Sequence, residues 1–248
     1  MSFTRLFEEK PGYFVVNKKR SFVNLNQIWP AYVDASERFA HEMAFGHNHR
    51  DHRSGGTDHR KEMTIYSDTL RGKLAEYGFY QFWLGKNGFV CSEPDVGVYA
   101  RGKWDSGDFI VRTSDGSKKW YCSVKSTKPQ GNLLLLETGD YNFDGIYKPG
   151  IGDGSENQGC YDIIAFVRVG STSFKLDDIK RLDRSTVRDW VMGKTWYFDI
   201  PGCIDHSDLV QIISDGYVIR KDNYLNRYTR IDADNYYVQA GDLRPLVA

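Results

Sequence analysis

The sequence has few cysteines, no long apolar run and no excess of either charge. Its four cysteines, Cys91, Cys122, Cys160 and Cys203, form no Cys-x-x-Cys pair, which in a chain of this length indicates a reducing compartment and buried thiols. No apolar stretch reaches the roughly 18–20 residues that a membrane-spanning helix needs. Because 33 lysines and arginines balance 33 aspartates and glutamates, the whole surface is not that of a polyanion-binding protein. A local basic cleft is compatible with this balance.

The composition is that of an ordinary globular protein. Of its 248 residues, 40% are hydrophobic and 27% are charged, so the chain can bury a core without a metal or a disulfide. The first residues lack the basic and then apolar order of a secretory signal, and we expect a cytoplasmic protein. No repeat, low-complexity tract or linker divides the chain. We therefore expect a single domain over residues 1–248.

Hydrophobic periodicity changes along the chain from helical to strand-like. Residues 31–45 have helical spacing, and Ser67 or Asp68 can cap a second helix that runs to about residue 86. Short apolar runs separated by turn residues follow, with a hairpin turn at Asp115-Gly116. This order predicts an α/β fold with a central mixed β-sheet flanked by helices. We expect strands at 89–92, 97–100, 108–113, 118–126, 161–169, 195–200 and 216–220, a last strand and turn at 235–245, and helices at 185–192 and 207–214.

Residues 41–62 differ in composition from the rest of the chain, because five of the six histidines lie there. The middle of this stretch has almost no large apolar side chain, which predicts a solvated loop. A zinc site at His47, His49 and His52 is disfavoured, since structural zinc sites usually include cysteine and none lies nearby.

Charged side chains in residues 72–125 occupy positions that suit metal-dependent chemistry. Glu76 lies on a largely apolar helix, Asp108 opens an apolar run after a glycine, and Lys125 comes near the end of a later run. In a strand, Ser123 and Lys125 share one face. Carboxylates are ligands that Mg²⁺ prefers, and a neighbouring lysine can position or deprotonate the attacking water. Such a group of side chains hydrolyses phosphodiesters.

The order and spacing of these motifs resemble those of the PD-(D/E)XK restriction-endonuclease-like superfamily. The matching segments are Gly72-x-x-Ala75-Glu76 on the helix, Gly107-Asp108-Phe109 at the start of one strand, and Ser123-Val124-Lys125 on the next. The resemblance implies that Asp108 binds Mg²⁺, that Lys125 serves the attacking water, and that Glu76 supports the metal shell.

The resemblance also implies a division of the chain. A restriction-endonuclease-like core would span residues 66–170. An N-terminal helical and histidine-rich segment, 1–65, would precede it. Residues 171–248 would form a part for recognition or dimerisation.

One position departs from the family pattern. The family usually has Asp or Glu two residues before the lysine, where this chain has Ser123. Some restriction enzymes that resemble the chain here supply the missing acid about a dozen residues downstream, which points to Glu137, 12 residues beyond Lys125. The sequence leaves open whether Glu76 or Glu137 is the second acid. Pro94-Asp95 also matches the Pro-Asp pair in the name of the family. We consider Asp108 the better candidate for the metal-binding aspartate, because it leads an apolar strand.

The function expected from this resemblance is that of a Mg²⁺-dependent endodeoxyribonuclease, most like a type II restriction enzyme. Its partner would be double-stranded DNA, and a homodimer would supply the two active sites that duplex cleavage needs. DNA contacts are expected from Arg50, Arg53, Lys128 and Gln130. Two alternatives stay open: a branched-DNA resolvase or repair nuclease of the same superfamily, and a catalytically inactive DNA-binding protein, which Ser123 suggests.

Other patterns carry less weight. Asp140-x-Asn142-x-Asp144 copies the start of a calcium loop, but the twelfth position is Ile151. Cys203 and His206 resemble a nucleophile and base only by proximity in sequence. We expect residues 138–160 to form a long loop of the kind that is often functional.

Overall fold

The computed structural model describes residues 2–24, 26–46, 61–97, 109–152, 156–171 and 176–246. Within them the chain forms mixed sheets and helices. The helices are α1 (Pro30–Phe45), α2 (Glu62–Leu84), α3 (Arg184–Met192) and α4 (His206–Ser214). The strands are β1 (Phe7–Lys10), β2 (Tyr13–Val15), β3 (Asn26–Gln27), β4 (Phe89–Cys91), β5 (Phe109–Thr113), β6 (Lys119–Thr127), β7 (Leu133–Glu137), β8 (Ile163–Ser171), β9 (Trp196–Asp205), β10 (Val218–Ile219), β11 (Tyr224–Leu225), β12 (Thr229–Arg230) and β13 (Asn235–Gln239).

A mixed six-stranded sheet is the largest element of the fold, and it confirms the prediction of an α/β fold with a mixed sheet. Its strand order is β3-β9-β8-β6-β5-β4. Strands β6 and β8 run parallel, whereas the other neighbours are antiparallel. The predicted turn at Asp115-Gly116 joins β5 to β6, and Gly116 has a φ of +71°, which glycine adopts at no steric cost.

The two faces of this sheet bury separate apolar clusters. Helices α1, α2 and α3 cover one face, against which Cys122 and Val124 of β6 pack. The other face packs against α4 and a three-stranded sheet of order β10-β13-β7. In the parallel register Ser123 lies opposite Ile164 and Lys125 opposite Phe166, and both apolar partners belong to this second cluster. Ser123 and Lys125 therefore face β7 and β13, away from α2.

A further four-stranded sheet, of order β1-β2-β11-β12, was not predicted. Residues 1–65, expected as a helical and histidine-rich segment, contribute β1 and β2 to it and β3 to the large sheet. Strand β1 is exposed along its whole length. It therefore lacks the alternation of buried and exposed side chains by which a strand is recognised in sequence.

Helix α2 begins at Glu62, so the predicted start at Ser67 or Asp68 was wrong. Ser67 is fully buried inside the helix. Tyr66 is also fully buried, its ring 5.7 Å from that of Phe45 and its hydroxyl donating to Glu37. Burial of this turn against α1 extends the helix beyond the polar residues that could have capped it.

A buried ion pair joins the N-terminal segment to the large sheet. Arg168 of β8 is 1% exposed and donates to both carboxylate oxygens of Asp199 on β9, at 2.8 and 2.5 Å. Its remaining donors reach the carbonyl oxygens of Arg20 and Ser21 at 2.7 and 2.9 Å. Asp199 also accepts from the Val23 amide at 2.9 Å. The pair thus holds residues 20–23 against two central strands.

In the described part of the chain, no helix is both long enough and apolar enough to cross a membrane. Three of the four cysteine side chains are buried, Cys160 is half-buried, and all four are free thiols.

Candidate functional site

Lys125 lies near the C-terminal end of β6, on the sheet face that looks toward β7. The side chain is half-buried and its ammonium lies 5.5 Å from the centre of the Tyr147 ring. It lines a cavity of about 340 Å³, together with Phe166 of the neighbouring strand. The alternation of β6 thus directs the predicted catalytic lysine toward this cavity.

Glu137, the acid proposed to replace the missing one, lines the same cavity as Lys125. It ends β7, where it lies opposite Asn235 of β13. Asp140 and Asp232 are also among the residues that line this cavity. The structure therefore brings together Lys125 and Glu137, two of the residues selected in the sequence.

Ser123 lies two residues before Lys125 on the same face of β6, but it is only 2% exposed. It is not among the residues that line the cavity. Its position beside Ile164 places the hydroxyl within the apolar cluster.

Glu76 lies on α2, which packs on the opposite face of the six-stranded sheet. Its carboxylate accepts from the Lys73 ammonium at 2.5 Å, and Lys73 also donates to the carbonyl oxygen of Asp95 at 2.5 Å. Lys73 is 4% exposed and its ammonium lies 4.5 Å from the centre of the Phe39 ring. The structure thus brings Glu76 close to the Pro94-Asp95 segment and keeps it away from Lys125.

A second cavity, of about 1060 Å³, adjoins the first. The two share Thr127, Leu133 and Leu135 as lining residues. Lys128 and Gln130, both predicted to contact DNA, line the larger cavity with exposed side chains. The catalytic candidates and these polar contact candidates therefore line two neighbouring cavities that share three residues.

Several predicted site residues lie outside the described residues. They are Asp108, Arg50, Arg53, and the histidines His47, His49 and His52. Asp108 directly precedes Phe109, which lies opposite Cys122, the neighbour of Ser123.

Asp140, Asp232 and Tyr147 were not recognised as site residues from the sequence. Asp140 had been noted only as part of a calcium-loop pattern. Asp232 follows β12 by two residues, and no motif marks it. The pairing of β7 with β13 is what brings residues near 235 beside Glu137, and a pairing over such a separation leaves no local signal.

Cys160, and not its sequence neighbour Cys203, is the cysteine that lies beside His206 in the structure. The sulfur of Cys160 is 3.8 Å from His206 Nδ1, whereas Cys203 is buried in β9. Burial and the nearby Asp162 raise the pKa of the Cys160 thiol. A raised pKa disfavours the thiolate that a nucleophilic cysteine needs, so this contact is not that of an activated nucleophile.

The acidic residues that line the cleft are of the type that Mg²⁺ uses as ligands. Among the described residues, no group of three or more acidic, histidine or cysteine side chains is arranged to hold a metal ion. Mg²⁺ commonly uses only one or two protein carboxylates and completes its shell with water and substrate phosphate. Glu137 and Asp140 offer ligands of this type beside Lys125, so the donor set fits.

Comparisons with protein-family models, with curated proteins and with solved structures gave no match for this chain.

Proposed function

We propose that the protein is a Mg²⁺-dependent endodeoxyribonuclease that hydrolyses phosphodiester bonds in double-stranded DNA, as a type II restriction enzyme does. The observation that carries the proposal is the shared cavity of Lys125, Glu137 and Asp140. The position of Glu137, 12 residues beyond Lys125, also agrees with the relocated acid of the Ser-x-Lys restriction enzymes that the sequence resembles. The topology gives further support, because a β-meander (β4-β5-β6) continues into a strand parallel to β6.

In this mechanism Lys125 positions the attacking water and offsets the charge of the scissile phosphate. Glu137 and Asp140, with Asp108 from the sequence motif, would hold Mg²⁺. When bound, the ion supplies Lewis-acid stabilisation of the phosphoryl oxygens and a more acidic water.

The DNA path proposed here follows the two adjoining cavities. Lys128 and Gln130 line the larger one, where they could contact the DNA flanking the scissile phosphate. Arg50 and Arg53 would add backbone contacts. A net charge of zero suits a protein that reads a sequence with a localised set of contacts, and a homodimer would cut both strands of a palindromic site.

The test is cleavage by purified protein of mixed plasmid and phage DNA, with Mg²⁺, with Mn²⁺ and with EDTA, beside a synthetic four-way junction. Discrete fragments that require the metal are expected. Lys125→Ala should lower the cleavage rate at least about 100-fold, the scale of a positioned acid–base group. Lys119→Ala is the matched control, since Lys119 lies on the same strand but pairs with Glu156 at 2.6 Å on the surface.

Each other outcome has a definite meaning. Cleavage of the junction alone would identify a resolvase. Intact DNA in every lane, together with DNA binding, would support the inactive DNA-binding alternative, for which the buried Ser123 is the structural argument. Full activity of a folded Lys125→Ala protein, with an unchanged melting temperature, would remove the assignment of the site.

A further inference from the structure

A phenyl ring projects into solvent beside the cleft. Phe143 is 87% exposed. It lies in the turn between Tyr141 and Tyr147, which pair in an antiparallel bridge. Both of these tyrosines line the cavity that contains Lys125, so Phe143 belongs to the rim of the candidate active site.

The turn that carries Phe143 is held by its own hydrogen bonds. The Asn142 side-chain oxygen accepts from the amides of Asp144 and Ile146 at 3.0 and 2.8 Å. The Asn142 amide donates to the Ile146 carbonyl, and the Gly145 amide to the Asn142 carbonyl. Gly145 has a φ of +74°, and a Cβ atom there would lie 3.2 Å from the His206 ring of α4. The turn therefore packs against a helix and presents the ring in a defined place.

We infer that Phe143 inserts between stacked bases of the DNA duplex whose phosphate enters the cavity, and so distorts the duplex at the cleavage position. This inference rests on the proposed function. Apolar side chains such as phenylalanine act as wedges between base steps, and aromatic rings stack on bases of any sequence. The neighbouring Asp144 is exposed and its negative charge would repel DNA phosphates, so stacking of the ring on bases has to provide the attraction at this tip.

A second copy of the chain fits this feature less well. A stable protein interface buries roughly 1,200–2,000 Å² of surface in total, about half of it on each partner. Phe143 stands beside the exposed polar Asp144 and the half-buried Asn142. A single ring between polar neighbours suits insertion into a base stack.

The experiment uses a short alternating dA–dT duplex in which some adenines are replaced by 2-aminopurine, whose fluorescence rises when it is unstacked. Binding is measured in EDTA, so that no strand is cut. The unsubstituted protein should raise the fluorescence. Phe143→Ala should abolish the rise and weaken binding about tenfold, the scale of one lost aromatic stack. Phe143→Trp should retain both the fluorescence rise and the binding affinity.

Two controls make the result specific. Trp29→Ala removes another exposed aromatic ring, directly before α1 on the opposite face of the six-stranded sheet, and should behave as the unsubstituted protein. The salt dependence of binding should be the same for Phe143→Ala and the unsubstituted protein, because that slope reports phosphate contacts. If the salt dependence of binding is steeper or shallower for Phe143→Ala, residues around the ring contact phosphates, and the inference is overturned.

The outcomes separate this inference from the proposed function. Unchanged unstacking and affinity in Phe143→Ala would overturn the inference even if the protein cuts DNA. Unstacking that depends on Phe143, in a protein that cuts under no condition, would uphold the inference and refute the nuclease proposal. If Phe143→Ala changes only the sedimentation of the protein, the ring belongs to a contact between copies, and the inference fails.

Discussion

At the residue scale, the two candidate acids lie on opposite sides of the large sheet, each with a different lysine. Lys73 is buried and pairs with Glu76 at 2.5 Å. Lys125 lines the cavity that also contains Glu137. A lysine and a glutamate thus form an internal ion pair at α2, whereas another lysine and glutamate line an accessible cleft.

Matched substitutions of the two acids should separate these roles. Glu137→Gln should lower Mg²⁺-dependent cleavage at least about 100-fold with little change in stability, because a carboxamide is a poor ligand for Mg²⁺. Glu76→Gln should keep cleavage but lower the free energy of unfolding by about 2 kcal/mol, because it leaves the buried Lys73 ammonium without its counter-charge. Cleavage rates and urea unfolding of both variants provide the measurement. The reverse pattern would make Glu76 the second acid.

The resemblance to Ser-x-Lys restriction enzymes pointed to Glu137, 12 residues beyond Lys125, and in the structure both residues line one cavity. The sequence left open whether Glu76 or Glu137 is the second acid. Whether α2 packs on the face with Lys125 or on the face with Val124 is decided by tertiary packing of the whole sheet, and helix periodicity carries no information about that choice.

At the element scale, most strands with buried apolar side chains were predicted, but β7, a run of four leucines and a glutamate, was not among them. Strand β8, buried through most of its length, and the β5–β6 hairpin match the apolar runs in the sequence. The short strands β11 and β12 and the exposed β1 were missed, since two to four residues of mostly solvent-facing backbone leave no pattern to detect. β1 pairs with β2, and β11 with β12, through short local connections, whereas the pairing of β11 with β2 joins distant segments of the chain.

The Arg168–Asp199 pair links elements that are far apart in sequence, and its loss should be costly. Asp199→Asn should lower the free energy of unfolding by about 3 kcal/mol or more, because Arg168 would stay buried with its charge uncompensated. Asp222→Asn is the control, since Asp222 pairs with Arg230 on the surface, where both are more than half exposed, and should cost less than about 1 kcal/mol. Urea unfolding monitored by tryptophan fluorescence measures both, and equal costs would contradict the central role of the buried pair.

At the scale of the whole molecule, buried thiols should make stability depend on alkaline pH. Burial raises the pKa of Cys91 to about 12 and that of Cys203 to about 11. Above about pH 9 these thiols ionise in the unfolded chain but stay protonated in the folded one, so the folded state binds more protons. The free energy of unfolding should therefore fall as pH rises, by up to about 1.4 kcal/mol per pH unit for each thiol.

Denaturant unfolding between about pH 8 and about pH 9, where tyrosines with an ordinary pKa of about 10 are still mostly protonated, would measure this slope. The double variant Cys91→Ala/Cys203→Ala should show a flatter profile, even if its stability at neutral pH is lower. An equally steep profile in the double variant would assign the alkaline sensitivity to other groups.

The pairing of β7 with β13 has a consequence for the order in which the protein is made. In the described part of the chain, β13 is the only strand that pairs with β7, and Glu137 lies opposite Asn235, about 100 residues later in sequence. A nascent chain on the ribosome can form the β5–β6 hairpin early, because its contacts are local. It cannot close the cleft around Lys125 until the strand at 235–239 has been synthesised. Partly made chains would thus lack a complete cleft, and any cutting of DNA would begin only with molecules that have folded through this last pairing.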